Sequence, residues 1–259
     1  MKAQITGTSS RKLLLGAVAT VILTMVTHSL PAIGAATQAE NEELANMVTV
    51  LFRAARKVIS DNQALINDPE KGDKGLTAEK VLAATKENFL KASGKEVDSF
   101  AKGSLSERTV NAMLQSVSEV VKNNQALINK KGVAFKGFIP ASFARETATE
   151  FTTRMKGLVE IKLTAPKAII RNRANRPDDW EHTVMEQQFK KPDYPKGQFF
   201  AEVAHYEGKS AYRFISPEYY GASCLYCHGD PKGERDISGG LKEGSKLGEL
   251  GGATSVAIF

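Results

Sequence analysis

The stretch Phe199-Phe-Ala-Glu-Val-Ala-His-Tyr-Glu-Gly-Lys-Ser-Ala-Tyr-Arg-Phe-Ile215 alternates apolar and polar residues on both sides of a central Gly208. That pattern predicts two antiparallel strands, Phe199–Glu207 and Ser210–Ile215, joined by a tight turn at Gly208-Lys209. Upstream, Val159, Ile161 and Leu163 alternate with Glu160 and Lys162, which predicts a further half-buried strand. Between them, Pro177-Asp178-Asp179 opens a helix through Trp180, Met185 and Phe189, with carboxylates in the first turn where the helix dipole favours them. The C-terminal Thr254–Phe259 reads as a last strand.

The region before these strands has a different texture. Leu44, Met47, Val48, Leu51, Ala55, Val58 and Ile59 recur at helical spacing between Asn41 and Ile66. Further helices are expected from Thr77 to near Gly94, from Ser106 to about Asn124, and from Pro140 through Phe151. The hexapeptide Asn62-Gln-Ala-Leu-Ile-Asn67 returns as Asn124-Gln-Ala-Leu-Ile-Asn129, 62 residues later. Two copies are too few for a solenoid and read as a paired helix-exit motif. The expectation is a single α+β domain over 40–259, helical over 40–155 and sheet-forming over 156–259.

The first 36 residues read as a signal peptide. Lys2, Arg11 and Lys12 precede an uncharged, mostly apolar run at 13–26, followed by Pro31 and small residues. The run is short for a spanning helix, which needs about 20 apolar residues, though an uncleaved anchor is the alternative. The leader has no Cys to carry a lipid. The expectation is a periplasmic protein with no stable membrane insertion once the leader is removed. The whole chain of 259 residues carries 35 basic and 29 acidic residues. Without the three leader cations the balance is 32 to 29, and no basic stripe points to nucleic acid.

The only two cysteines lie in Ser223-Cys224-Leu225-Tyr226-Cys227-His228-Gly229, the C-x-x-C-H pattern of c-type haem attachment. Two thiols three residues apart can form thioethers with the two vinyl groups of one porphyrin, and the following imidazole can ligate the iron. Chance placement of this pattern in such a composition is about one in ten thousand, against the ordinary false-positive risk of short motifs. A redox C-x-x-C, a zinc site using Cys224, Cys227 and His228, and a local disulfide are the competing readings.

Ala55-Arg56-Lys57-Val58-Ile59, the following DNQALINDPEKGDKGLT, NRANRPDDWE at 172–181, SCLYCHGDPKG and GLKEGSKLGELGGATSV carry a more specific signal. Together they resemble a family of PAS-like haem c domains known from cyanobacteria and many other bacteria, over roughly 45–257. The resemblance implies N-terminal helices packed on a PAS-like antiparallel sheet, with one haem c attached at Cys224 and Cys227 and ligated by His228. Members of that family occur as exported cytochromes and as extracytoplasmic sensor regions. No kinase, methyl-accepting or cyclase module is legible in this chain.

The second axial position is open among His182, His205, Met47, Met113, Met155 and Met185, or a water. Met47, on the apolar seam of the first helix, ranks slightly above His205, which shares the Phe199-Ala201-Val203 face; for each, core packing is the more ordinary reading. Arg171, Arg173 and Arg176 could pair with haem propionates or form a solvated loop. Trp180, Tyr219 and Tyr220 could line the haem or fill core. The function expected is one-electron transfer with a redox partner protein and no catalysis. A gas or redox sensor acting through a separate partner is the alternative, and a peroxidase is a third class.

Overall fold

The computed structural model describes residues 36–259. The expected signal peptide lies almost wholly outside them. Five helices come first: α1 (Gln38–Asp61), α2 (Gln63–Asn67), α3 (Ala78–Ser93), α4 (Leu105–Ile128) and α5 (Pro140–Met155). Strand β1 (Val159–Thr164) follows, then α6 (Asp179–Val184) with a π-helical turn at Met185–Phe189. The hairpin β2 (Phe200–Tyr206) and β3 (Lys209–Tyr219), the one-turn helix α7 (Leu225–His228) and β4 (Leu250–Ile258) complete the order. The four strands form one antiparallel sheet in the order β1-β4-β3-β2, so the α+β expectation holds.

The helices start and stop where their chemistry dictates. Thr37 and Ser104 accept the free N–H groups of the first turns of α1 and α4, and Glu40 reaches back to Thr37 in a capping box. Gly94, at φ 69°, ends α3 in the left-handed conformation that glycine adopts without strain. The first expected helix is in fact two: α1 breaks at Asn62, whose side chain donates to Val58 O at 2.8 Å. The second hexapeptide copy continues α4 without a break, although Asn124 makes the equivalent bond to Val120 O at 2.9 Å.

The two copies also exchange partners. Asn129 Oδ1 accepts the Lys74 N–H at 3.0 Å, in the loop after the first copy. Asn67 Oδ1 accepts the Lys136 N–H at 3.3 Å, in the loop after the second. Ile66 and Ile128, the matching apolar positions, are both fully buried. The repeated hexapeptide therefore ties two loops crosswise, a role that its position alone did not reveal.

One sheet face and the helices share the main core. Phe52, Met113, Phe143 and Phe151 from the helices pack with Val159, Ile161, Tyr212, Phe214, Val256 and Ile258 from the strands. The opposite face carries a smaller cluster of Val184, Met185, Phe189, Ile215 and Ala253. On that face the buried Arg213 guanidinium lies 4.2 Å from the Trp180 ring centroid and 4.8 Å from that of Tyr206, paired with Asp178 at 2.7 Å. Trp180 is thus a packing residue over a buried cation.

Two details of the hairpin differ from the sequence reading. The turn falls at Glu207-Gly208, both with positive φ (49° and 81°), so it is one residue earlier and of the type that matches strand twist. Strand β3 runs four residues past Ile215, through Pro217. Beyond Ile215 it pairs only with β4, so one of its edges is open and a residue without an N–H is tolerated.

Candidate functional site

Cys224 closes a 3₁₀ turn (Ala222–Cys224) and directly precedes α7, which carries Cys227 and His228. Positions three and four apart on a helical turn face the same way, so both thiols and the imidazole share one side. Neither cysteine is in a disulfide and both are partly exposed. Burial, with Asp236 nearby, pushes the Cys227 thiol up. Gly229 is required after His228, because a Cβ there would lie 2.6 Å from Leu225 O.

His228 is oriented by a carboxylate. Its Nδ1 lies 2.8 Å from Glu243 Oε2. Burial alone would raise the Glu243 carboxyl, but hydrogen bonds from Arg171 and His228 hold it below the ordinary range. An ionised carboxylate only accepts, so Nδ1 donates in this bond, and Nε2 is the ring nitrogen turned away from Glu243. The Tyr220 ring packs 5.1 Å from the imidazole centroid, tilted by 32°. Ser245 N–H donates to His228 O at 2.8 Å, closing the loop against the motif.

Arg171 ties this arrangement together. Its Nε donates to Glu243 Oε1 at 2.7 Å, and Nη2 donates to Cys227 O at 2.7 Å and Leu241 O at 2.9 Å. Nη1 pairs with Asp236, a carboxyl whose burial is outweighed by Ser238 and Arg171, which hold it at about 2. Gly240 allows the approach, since a Cβ there would sit 2.8 Å from Arg171 Nη1. Arg173 and Arg176 are exposed and take no part in this network.

The strut between the motif and the helices is α1. Arg53 Nε donates to Glu218 Oε1 at 2.7 Å, and Arg56 pairs with the same carboxylate. Burial of Glu218 would raise its carboxyl, but Arg56 and Arg53 bring it down to about 2. Ser60 Oγ lies 3.4 Å from Ser223 Oγ, so the C-terminal end of α1 meets the start of the motif.

The structure does not bring Met47 or His205 to His228. Met47 is thirteen residues before Ser60, about 20 Å along α1 at 1.5 Å per residue. It faces a hollow with Phe100 and Ser104. His205 pairs with Ser210 at the far end of β3, roughly 30 Å of strand from Tyr220. It does lie on the same sheet side as Phe214, but β2 is the edge strand and the helices do not cover its end. Val203 there is 69% exposed and His205 is exposed too, so this end of the expected apolar face is solvated, while Phe199 and Ala201 pack against the main core. Met113 and Met155 lie in the helix-side core and Met185 in the smaller cluster.

Could this site hold a haem? Among the described residues no group of three or more His, Cys, Asp or Glu side chains is arranged to hold a bare metal ion. The motif offers two free thiols and one imidazole nitrogen, and the segment that follows it exposes apolar side chains. Of the six large hydrophobic residues exposed among the described residues, Tyr226, Ile237, Leu241 and Leu247 fall within this one segment. Apolar surface of this kind suits the faces of a porphyrin. The residues fit the group.

The family model for Tll0287-like proteins matches residues 35–258. The chain belongs to the Tll0287-like family. Membership is compatible with a cytochrome-like protein. No curated protein and no solved structure matches the chain. In this Tll0287-like chain no helix among the described residues is long and apolar enough to cross a membrane. The sequence singles out Cys224, Cys227 and His228 as candidates, and the structure adds Glu243 and Asp236, which the sequence did not single out. The signal for Glu243 was weak: one acid in a Gly-rich loop, fifteen residues after the histidine it orients.

Proposed function

We propose that this protein is an exported monohaem c-type cytochrome that passes single electrons to and from a redox partner protein. Cys224 and Cys227 would hold one haem c by thioethers, and His228 Nε2 would ligate its iron. The haem supplies a reversible one-electron couple between ferric and ferrous iron. The chain's own residues fix the imidazole through Glu243, hold the loop through Arg171, and cover the site with Tyr220 and the apolar side chains of the 226–247 segment. The observation that carries the reading is the 2.8 Å bond from His228 Nδ1 to Glu243, which leaves the opposite nitrogen free beside two unpaired thiols. The leader supports a periplasmic address, and the helices on an antiparallel sheet support a PAS-like arrangement.

A second reading is favoured by one observation: Met47 and His205 both lie far from His228. A haem without a protein ligand on its second face could bind a small gas, and the protein would then act as a sensor through a separate partner. The test is a spectroelectrochemical titration of the mature protein, followed by exposure of the ferrous form to carbon monoxide. A reversible one-electron wave with no carbon monoxide shift supports the carrier. A rapid, stoichiometric shift supports the sensor and would overturn the carrier reading.

A further inference from the structure

We propose that Glu243 is a positioning residue that makes the His228 imidazole a stronger electron donor and so biases the bound haem toward its ferric form. The inference rests on the haem reading of the site. It goes further by assigning a residue outside the C-x-x-C-H motif to control of the redox couple.

The geometry begins with the carboxylate. Glu243 Oε2 accepts from His228 Nδ1 at 2.8 Å and also from Arg171 Nη2 at 3.0 Å, while Oε1 accepts from Arg171 Nε at 2.7 Å. The carboxylate is thus oriented from two sides and cannot swing away. Arg171 is itself fixed by Asp236, Cys227 O and Leu241 O. A hydrogen bond from one imidazole nitrogen to an anion pulls its proton outward and increases the electron density at the other. A more basic axial nitrogen stabilises the higher charge of ferric iron over ferrous iron, which lowers the reduction potential.

Charge distribution adds a constraint. Arg171 offers two donors to Glu243 and makes three contacts elsewhere, so it neutralises part of the carboxylate charge while leaving the bond to His228 intact. Glu243 therefore supplies direction and electron donation without placing an uncompensated charge against an apolar cofactor. A glutamine in its place would keep the shape and one acceptor oxygen but lose the charge.

The test uses the full chain matured in an exporting, haem-attaching host, as wild type, Glu243→Gln and Glu243→Asp. The midpoint potential is expected to be lowest in wild type and most positive in Glu243→Gln, with Glu243→Asp between them because it keeps the charge. The His228 Nδ1 proton, followed by NMR in the ferrous protein, should lie far downfield in wild type and move upfield in Glu243→Gln. Equal potentials and an unmoved proton in wild type and Glu243→Gln, both with covalent haem, would overturn the role of Glu243 alone. If Glu243→Gln takes up no haem, the wild-type proton decides: a shift typical of a solvent-bonded imidazole overturns the proposal. A wild type without covalent haem would overturn the underlying haem reading, a different result from either.

Discussion

On the helix side of the sheet, Phe52, Phe143, Phe151 and Phe214 are fully buried, and no single contact dominates. From Tyr220 to Glu249 the buried residues are only Tyr220, Gly229 and Asp236. That segment is held by ions and backbone bonds converging on Arg171, Glu243 and Asp236. The first region spreads its stabilisation over many interchangeable apolar contacts. The second concentrates it in a few charged groups with set directions. A loop built this way gains orientation of one imidazole at the cost of tolerance to substitution.

The sharpest way to break the contrast is to damage the apolar side. Phe151→Ala should remove about 3–5 kcal/mol of global stability. Chemical denaturation should show a lower midpoint with an unchanged slope. Amide exchange at 228–245 that opens locally should keep its wild-type rate under native conditions. A selective loosening of that segment would show that the loop leans on the helical core after all.

Glu218 sits on the seam between the two regions and gives the next largest effect. Its folded carboxyl is held at about 2 against an ordinary value of 4.5. A depressed folded value means the stabilisation is present above pH ~4.5 and is lost as pH falls from there toward 2. The span corresponds to something on the order of 3 kcal/mol. Acid titration of unfolding should therefore be shallower for Glu218→Gln than for wild type across pH 4.5 to 2. Parallel curves would refute the assigned partnership with Arg53 and Arg56.

Arg171→Met should cost about 1–3 kcal/mol, confined to the loop, because it strands the Asp236 carboxylate and two carbonyls. Hydrogen exchange should quicken at 228–245, and global stability should fall by no more than the free energy of opening that loop. Thr37→Ala marks the small end. Loss of the α1 cap should lower stability by about 1 kcal/mol, measured by denaturant, with no change in the loop.

Much of the architecture was legible because periodicity reports burial directly. The apolar seam of α1, the Thr77 and Gly94 ends of α3, and the alternation of β1 and β2 needed no partner to be read. The rest depended on what lies opposite. His205 sits on an alternating face, yet no helix covers the end of an edge strand, and alternation cannot report that. Met47 lies on a true core seam, but a seam does not say which end of a helix meets the C-x-x-C-H motif. Strand β3 continues through Pro217 because its neighbour has already ended. Within the candidate site, Cys224, Cys227 and His228 stood out because the C-x-x-C-H pattern has a fixed spacing along the chain. Arg171 and Glu243 meet across 72 residues, and no local rule connects them.

The most direct test of the central claim is acid–acetone extraction of the mature protein, expressed in an exporting and haem-attaching host, followed by its visible spectrum and intact mass. The expected result is haem retained on the polypeptide at one per chain, and lost in a Cys224→Ser, Cys227→Ser variant. Colourless protein with the mass of the bare chain would contradict the account.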